Sequence, residues 1–412
     1  MSCNGWREVK LDEIIEFNPK ESIPKGKYVK KINMDMLKPF YKYVNEYEIE
    51  EYKGGSKFRN GDTIMARITP CLENGKTAKV TSLDKNEVGF GSTEFIVLRA
   101  KEGLTLEDYV YYIAISPNIR DIAIKSMTGT SGRQRAQINV IKNIKINLPP
   151  LNEQKAIAKI LSDLDKKIEI NNRINKVLEE IAQTIFKRWF VDFEFPNENG
   201  EPYKSSGGEM VESELGPIPK GWEVVRLGYV IFKSNKKFSN KEMWKELKII
   251  DLSVMPQFSM CINNFSNGID FDTNIYELEE LDILFGSIRP YFGKAGFSPI
   301  NGGVAGTVYN FKPQKIEDYS YILMIITSKE FIQYAISMSQ GTKMPVFKFT
   351  DLEQYLIPYD NNIVEQFNKM IFNFIIEIKN RINENLIISQ LRDTLLPKLM
   401  SGEIRVTLDE SK

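Results

Sequence analysis

A chain written twice must build two similar bodies, and this 412-residue chain repeats itself. Gly5-Trp6, Val9, Lys10 and Leu11 return 216 residues later as Gly221-Trp222, Val225, Arg226 and Leu227. Gly61-Asp62-Thr63-Ile64, Ile68-Thr69-Pro70 and Gly75-Lys76 return as Leu281-Asp282-Ile283-Leu284, Ile288-Arg289-Pro290 and Gly293-Lys294. Tyr109 to Thr130 is echoed by Tyr319 to Thr342, and each copy then reaches an apolar residue and a proline, Leu148-Pro149 or Ile357-Pro358. Short apolar runs such as Thr63 to Ile68, Phe95 to Leu98 and Ile283 to Ile288 read as strands. Tyr109 to Ser126 and Tyr319 to Ser339 read as helices, so each half is a mixed α/β (α+β) domain.

Beyond each proline the apolar period lengthens to steps of three, four and seven, the mark of a coiled coil. The first stripe is Ile157, Leu161, Leu164, Ile168, Asn175, Leu178 and Ile185. Shifted by 210, it becomes Phe367, Ile371, Phe374, Ile378, Asn385, Ile388 and Leu395, with even the polar Asn175 meeting Asn385. Two such helices in one chain zip most simply antiparallel. The expected order is domain 1–150, long helix 151–195, a Gly/Pro/Ser-rich linker 196–219, domain 220–360, long helix 361–400 and a tail 401–412.

Composition excludes much chemistry. With no histidine there is no imidazole base, no Ser-His-Asp relay and no histidine-bearing zinc site. Cys3, Cys71 and Cys261 are too few and too scattered for a four-cysteine site or a disulfide framework, which fits a reducing compartment. No metal site and no catalytic residue is expected. No apolar run is long enough for a membrane span, and the first residues lack a signal peptide's apolar stretch, so a soluble cytoplasmic protein is expected. Gly75-Lys76-Thr77 lacks the leading glycine of a phosphate loop, since position 70 is Pro70, and Ala78 to Thr81 reads as a strand where a helix is required. Leu148-Pro149-Pro150-Leu151 lacks the polar first and aromatic last residues of an amino-methyltransferase motif.

Equal counts of 55 basic and 55 acidic side chains hide an uneven distribution. Residues 1–150 carry a surplus of +5, residues 151–219 come to −4 and residues 220–360 to −1. Lys125, Arg133, Arg135, Lys142 and Lys145 lie in a stretch without one acid, a patch that does not repel phosphate. Within it, Thr128-Gly129-Thr130-Ser131-Gly132-Arg133-Gln134-Arg135 is too polar for a core. Arginine and glutamine can each make two hydrogen bonds to a base edge. An ordinary solvated loop is the bland alternative, but Gln340-Gly341-Thr342-Lys343 puts similar groups at the corresponding place in the second copy.

The arrangement resembles the specificity subunits of type I restriction-modification systems over essentially the whole chain. The resemblance rests on Leu148-Pro149-Pro150-Leu151-Asn152-Glu153-Gln154, Phe186-Lys187-Arg188-Trp189-Phe190-Val191-Asp192-Phe193-Glu194, Gly216-Pro217-Ile218-Pro219-Lys220-Gly221-Trp222 and Leu395-Leu396-Pro397-Lys398-Leu399-Met400-Ser401-Gly402. The second helix head departs from the pattern, with Pro358-Tyr359-Asp360 where Pro-Pro-Leu is usual. The resemblance implies two target recognition domains, each reading one part of a split double-stranded DNA sequence. It also implies a coiled coil that spaces them and docks two methyltransferase subunits, and restriction subunits joined through the complex. Adenine methylation and ATP-driven translocation then belong to partners, so S-adenosylmethionine, ATP and Mg are expected there and no cofactor here.

For base reading the expectation is Arg133, Gln134 and Arg135 in the first domain and Gln340, Thr342 and Lys343 in the second. Thr130, Ser131, Lys142, Lys145 and Lys348 are assigned to phosphate. Arg67, Lys76, Arg289 and Lys294 form a further group whose strand-turn setting has a purely structural alternative.

Overall fold

Thr63–Ala66 and Phe95–Ala100 pair antiparallel, and the two sides of this pair show how each half is built. In the computed structural model, which describes residues 5–272 and 274–407, Met65, Ile96 and Leu98 point to one core and Ile64, Phe95 and Val97 to another. Both faces of the sheet are therefore covered, which is why these strands read as continuous apolar runs. On one side lie the helices Glu107–Ile115 and Pro117–Lys125. On the other lies a second sheet that brings Ile32 and Phe58 into the same core as Ile64.

The chain divides into two units, Met1–Ile168 with Ile388–Lys412, and Glu169–Ile387. In the first, one sheet has the order Ile15–Phe17, Phe95–Ala100, Thr63–Ala66, Thr77–Val80, Tyr43–Val44. The other has the order Glu48–Glu51, Tyr28–Ile32, Val88–Gly91, Ser56–Arg59, with its central pair parallel. In the second unit the corresponding orders are Ile231–Lys233, Val308–Pro313, Ile283–Gly286, Ala295–Phe297 and Ser266–Asn267, Lys248–Ile250, Gly302–Ala305, Ile275–Leu278, again with a parallel central pair. A small antiparallel ladder ties the start of each domain to its end, Arg7–Lys10 with Lys145–Leu148 and Glu223–Arg226 with Leu356–Tyr359. The repeat in sequence is thus a repeat in topology.

Several details depart from the sequence reading. Each helix expected as one piece is two, broken at Ser116 and Ser328. Pro117 cannot continue the first, and the Ser328 hydroxyl caps the helix Lys329–Met338 by accepting from the Phe331 N–H. The linker is ordered, with Met210–Val211 paired to Ile218–Pro219 and the Phe195 ring stacked between Tyr203 and Trp222 at 4.7 and 5.1 Å. Gly75 sits in a turn followed by the strand Thr77–Val80, so no helix follows it as a phosphate loop requires. Cys71 and Cys261 are free thiols, whereas Cys3 lies outside the described residues. Among the described residues no helix is long and apolar enough to cross a membrane.

The two long helices, Leu151–Phe186 and Asn361–Ser401, each contribute to both units and run antiparallel. In the first unit Ile157, Ala158 and Leu161 share a core with Leu396 and Leu399. In the second, Ala182 and Phe186 share one with Phe367, Ile371, Ile375, Ile378 and Ile382. Here the seam differs from the expected stripe. Ile157, Leu161, Ile168, Asn175, Phe367, Ile371, Ile378 and Asn385 are buried, but Leu164, Leu178, Ile185, Phe374, Ile388 and Leu395 are only half-buried at its flanks. Their central places are taken by Ser162, Asp165, Asn171, Glu179 and Arg392. Polar groups can sit there because they are paired: Asp165 with Arg392 at 2.8 Å, and Asn171 with Asn385 at 2.8 Å and Glu384 at 2.7 Å.

Candidate nucleic-acid interface

Three loops meet at one edge of each unit. In the first unit the middle loop, residues 67–76, joins Thr63–Ala66 to Thr77–Val80. On one flank the loop 128–135 pairs with it. The Thr69 N–H donates to the Gln134 carbonyl at 3.0 Å, the Ala136 N–H to that of Arg67 at 2.8 Å, and Thr128 and Arg135 bond each other twice. On the other flank lies the loop 33–42, whose Phe40 N–H donates to the Gly75 carbonyl at 3.1 Å. In the second unit the Arg289 N–H donates to Pro345 at 2.8 Å, Gln340 and Val346 bond each other twice, and the Phe258 N–H donates to Gly293 at 3.0 Å. The same three-loop arrangement therefore occurs in both.

These loops gather most of the sequence-picked residues, with unequal freedom. Thr130, Ser131 and Arg133 are exposed and Gln134 is half-buried; Arg133 makes no ion pair among the described residues. Arg135 is placed differently. Its guanidinium grips Glu94 at 2.6 to 3.0 Å through both Nε and Nη2. That arginine holds the Glu94 carboxyl below its ordinary value, and the carboxylate in turn raises the arginine. The Arg135 guanidinium thus differs from that of Arg133 in having a carboxylate partner across the loops.

Arg67 reaches the Ala136 carbonyl at 3.5 Å, and Lys76 donates to the Met34 carbonyl at 2.9 Å, so both brace the loops from within. Lys294 donates to the Leu252 carbonyl in the same way, and burial lowers its pKa. Arg289, by contrast, is exposed with a left-handed backbone at φ 53°, and Gln340, Thr342, Lys343 and Lys348 are exposed beside it in sequence or pairing. Lys142 lies 5.8 Å from the Phe17 ring, and Lys145 pairs with Glu8 at 2.8 Å on the terminal ladder. Neither belongs to the three loops. Among the described residues no cluster of acidic or cysteine side chains could hold a metal ion.

Comparison with known proteins matches this architecture to one family. Residues 4–180 match the type I restriction modification DNA specificity domain. The MjaIX specificity subunit of Methanocaldococcus jannaschii is 28% identical over 324 residues, 74% of this chain and 71% of that protein. The MjaVIII specificity subunit of the same organism is 25% identical over 97% of this chain and 93% of its own length, so the likeness spans both halves. The chain is thus similar to type I restriction enzyme specificity subunits along most of its length. Its fold is similar to that of the S subunit from M. genitalium, with a TM-score of 0.53 at 17% identity, covering 98% of this chain and 97% of that one.

Four participants in these loops carry no sequence signal taken alone. Glu94 lies 41 residues from the arginine it holds. Arg120 stands over the Phe40 ring at 5.2 Å and bonds the Glu73 carbonyl. Phe40 and Phe258 are exposed aromatics in otherwise ordinary loops. The spacing of the last two was a usable sign, because Phe40 precedes Gly75 and Phe258 precedes Gly293 by the same 35 residues.

Proposed function

We propose that this chain is a specificity subunit that reads a split double-stranded DNA sequence, one part through the three loops of each unit, and performs no chemistry itself. The observation that carries the reading is the recurrence of one loop arrangement on one topology, with exposed Arg133 and half-buried Gln134 in the first copy and exposed Arg289, Gln340, Thr342 and Lys343 in the second. Two similar readers in one chain suit a target in two parts. Arg133 and Gln134 contact base edges, Thr130, Ser131 and Lys348 contact phosphate, and Arg135, Arg67, Lys76 and Lys294 hold the loops in shape. The paired long helices set the gap between the half-sites and dock two methyltransferase subunits, through which restriction subunits join. S-adenosylmethionine, ATP and Mg serve in those partners, and the assembly works in the cytoplasm, where the DNA is.

Replacing Arg133 with alanine tests the reading. In the assembled complex it is expected to cost about 1 to 3 kcal/mol of specific binding and to relax one position of one half-site, as seen by sequencing methylated positions. Unchanged affinity and preference would remove Arg133 from the interface. Replacing Lys348 with alanine should instead weaken all sequences alike and flatten the salt dependence.

With zero net charge, the chain alone supplies little of the counterion release that drives tight DNA binding. The isolated subunit is therefore expected to retard duplex DNA weakly in a gel-shift titration and the complex with methyltransferase subunits tightly. Tight sequence-specific retardation by the isolated chain would contradict this.

A further inference from the structure

Phe40 and Phe258 are each exposed, by 44% and 59%, and each has a left-handed backbone, at φ 61° and 52°. For a bulky residue this conformation is costly and persists only when its surroundings enforce it. The enforcement is the same twice. Each N–H donates to the carbonyl of a left-handed glycine, Gly75 or Gly293, and a Cβ on either glycine would come within 2.6 Å of the ring. Around them the copies have diverged: Leu37-Lys38-Pro39 against Met255-Pro256-Gln257, and Tyr41-Lys42-Tyr43 against Ser259-Met260-Cys261. The ring, its backbone angle, its exposure and the glycine beneath it are what both copies share.

A ring serving only to cover the glycine would be expected to bury itself. These rings instead stand out from tips that are held firmly. The Phe40 carbonyl accepts from Arg392 Nη1 at 3.2 Å. Beside Phe258, the Ser259 hydroxyl and the Met260 N–H both donate to Glu179, at 2.8 and 2.6 Å. Each ring also borders the loop that carries Arg67 and Lys76, or Arg289 and Lys294, so its setting is cationic and suits nucleic acid.

We infer that Phe40 and Phe258 are further specificity-determining residues, each presenting a ring edge to the 5-methyl group of a thymine in the half-site its unit reads. The inference rests on the proposed DNA-reading function. Insertion between base pairs needs both faces of a ring, and Arg120 already stands over one face of Phe40. An edge remains, and apolar contact with the thymine methyl is the base-specific interaction open to it.

The test uses the full chain assembled with its methyltransferase subunits, on a duplex of the sequence methylated in the host, with each thymine replaced in turn by uracil. One uracil position in the half-site read by the first unit is expected to weaken binding about four-fold, the worth of one buried methyl. Phe40→Ala should weaken the parent duplex by a similar factor and abolish sensitivity to that uracil alone. Phe258→Ala should do the same in the other half-site. Indifference of the wild-type complex to every uracil, or additive penalties from variant and uracil, would overturn the inference. So would a Phe40→Ala subunit that sheds methyltransferase subunits in gel filtration yet keeps its uracil sensitivity, since the ring would then dock protein. If Phe40→Ala misfolds by circular dichroism, Phe40→Leu is read in the same way, with partial loss expected. If Arg133→Ala keeps its sequence preference while the uracil coupling stands, the assignment of the polar loop fails and that of the ring survives.

Discussion

Asp165→Asn is expected to lower the stability of the first unit by about 3 to 5 kcal/mol, read from the urea midpoint of the purified subunit. Both partners of the ion pair are inside the protein, with side chains 4% and 6% exposed for Asp165 and Arg392. The aspartate oxygens accept from Arg392 Nη1 at 2.8 Å and from the Tyr112 hydroxyl at 2.6 Å. Burial opposes the charge of Arg392, yet Asp165 and Asp393 hold its pKa above the ordinary value, and a guanidinium stays charged in a protein even after one of those carboxylates is lost. An asparagine there leaves a buried guanidinium short of its counter-charge. The effect spreads, because Tyr112 and Ser162 also meet Lys42, whose side chain is fully buried and whose Nζ lies 2.5 Å from Ser162 Oγ and 2.8 Å from Asp108. Burial lowers the pKa of Lys42 despite that carboxylate. Replacing Asp165 and Arg392 together by leucine and methionine should recover much of the loss, since well-packed apolar pairs often match a buried ion pair. A single variant as stable as the wild type would show that the network contributes no net stability.

Lengthening both long helices by four residues at matched positions is expected to change the preferred gap between half-sites by about two base pairs. Four residues add about 6 Å of helix at 1.5 Å each and just over one turn. Each base pair adds about 3.4 Å of duplex. The measurement is methylation of a library of duplexes whose half-sites are fixed and whose gap is varied. A methylated optimum at the original gap would rule out the helices as the ruler. Insertion into one helix alone should shift the antiparallel register against the other, opposing Asn171 to residues other than Asn385, and should cost assembly before it alters spacing.

The repeat was legible because turns and strand ends need particular residues. Gly75 and Gly293 both have positive φ, a backbone requirement that survives divergence and so marks equivalent places. The mixed α/β class followed from apolar runs that the structure buries on both faces. The antiparallel coil was legible too, but only in its apolar part. A count of apolar spacing cannot see that Asp165 and Glu179 lie on the seam, because their burial depends on Arg392 and on the backbone of Met260, far away in sequence. The candidate interface was read with similar limits. Local composition pointed to the loop 128–135, yet whether Arg133 or Arg135 is free there depends on Glu94, which composition does not place. For Phe40 the signal lies in a backbone angle and a fixed spacing to Gly75, features that no propensity scale records.

The first unit is assembled from both ends of the chain. Leu396 and Leu399 complete the core built around Tyr109, Ile157 and Leu161, while Glu153 binds both the Trp6 indole and the Arg405 guanidinium. On a ribosome, residues up to Ile168 emerge with that core unfinished, and about 220 further residues must follow before Ile388 arrives. At 5–20 residues per second this is a wait of roughly 10–40 s. The second unit is continuous from Glu169 to Ile387, so it can close first, although it begins later. Synthesis order and completion order are therefore reversed, and the early half of the chain passes that interval with apolar surface open to chaperones or to a neighbouring chain.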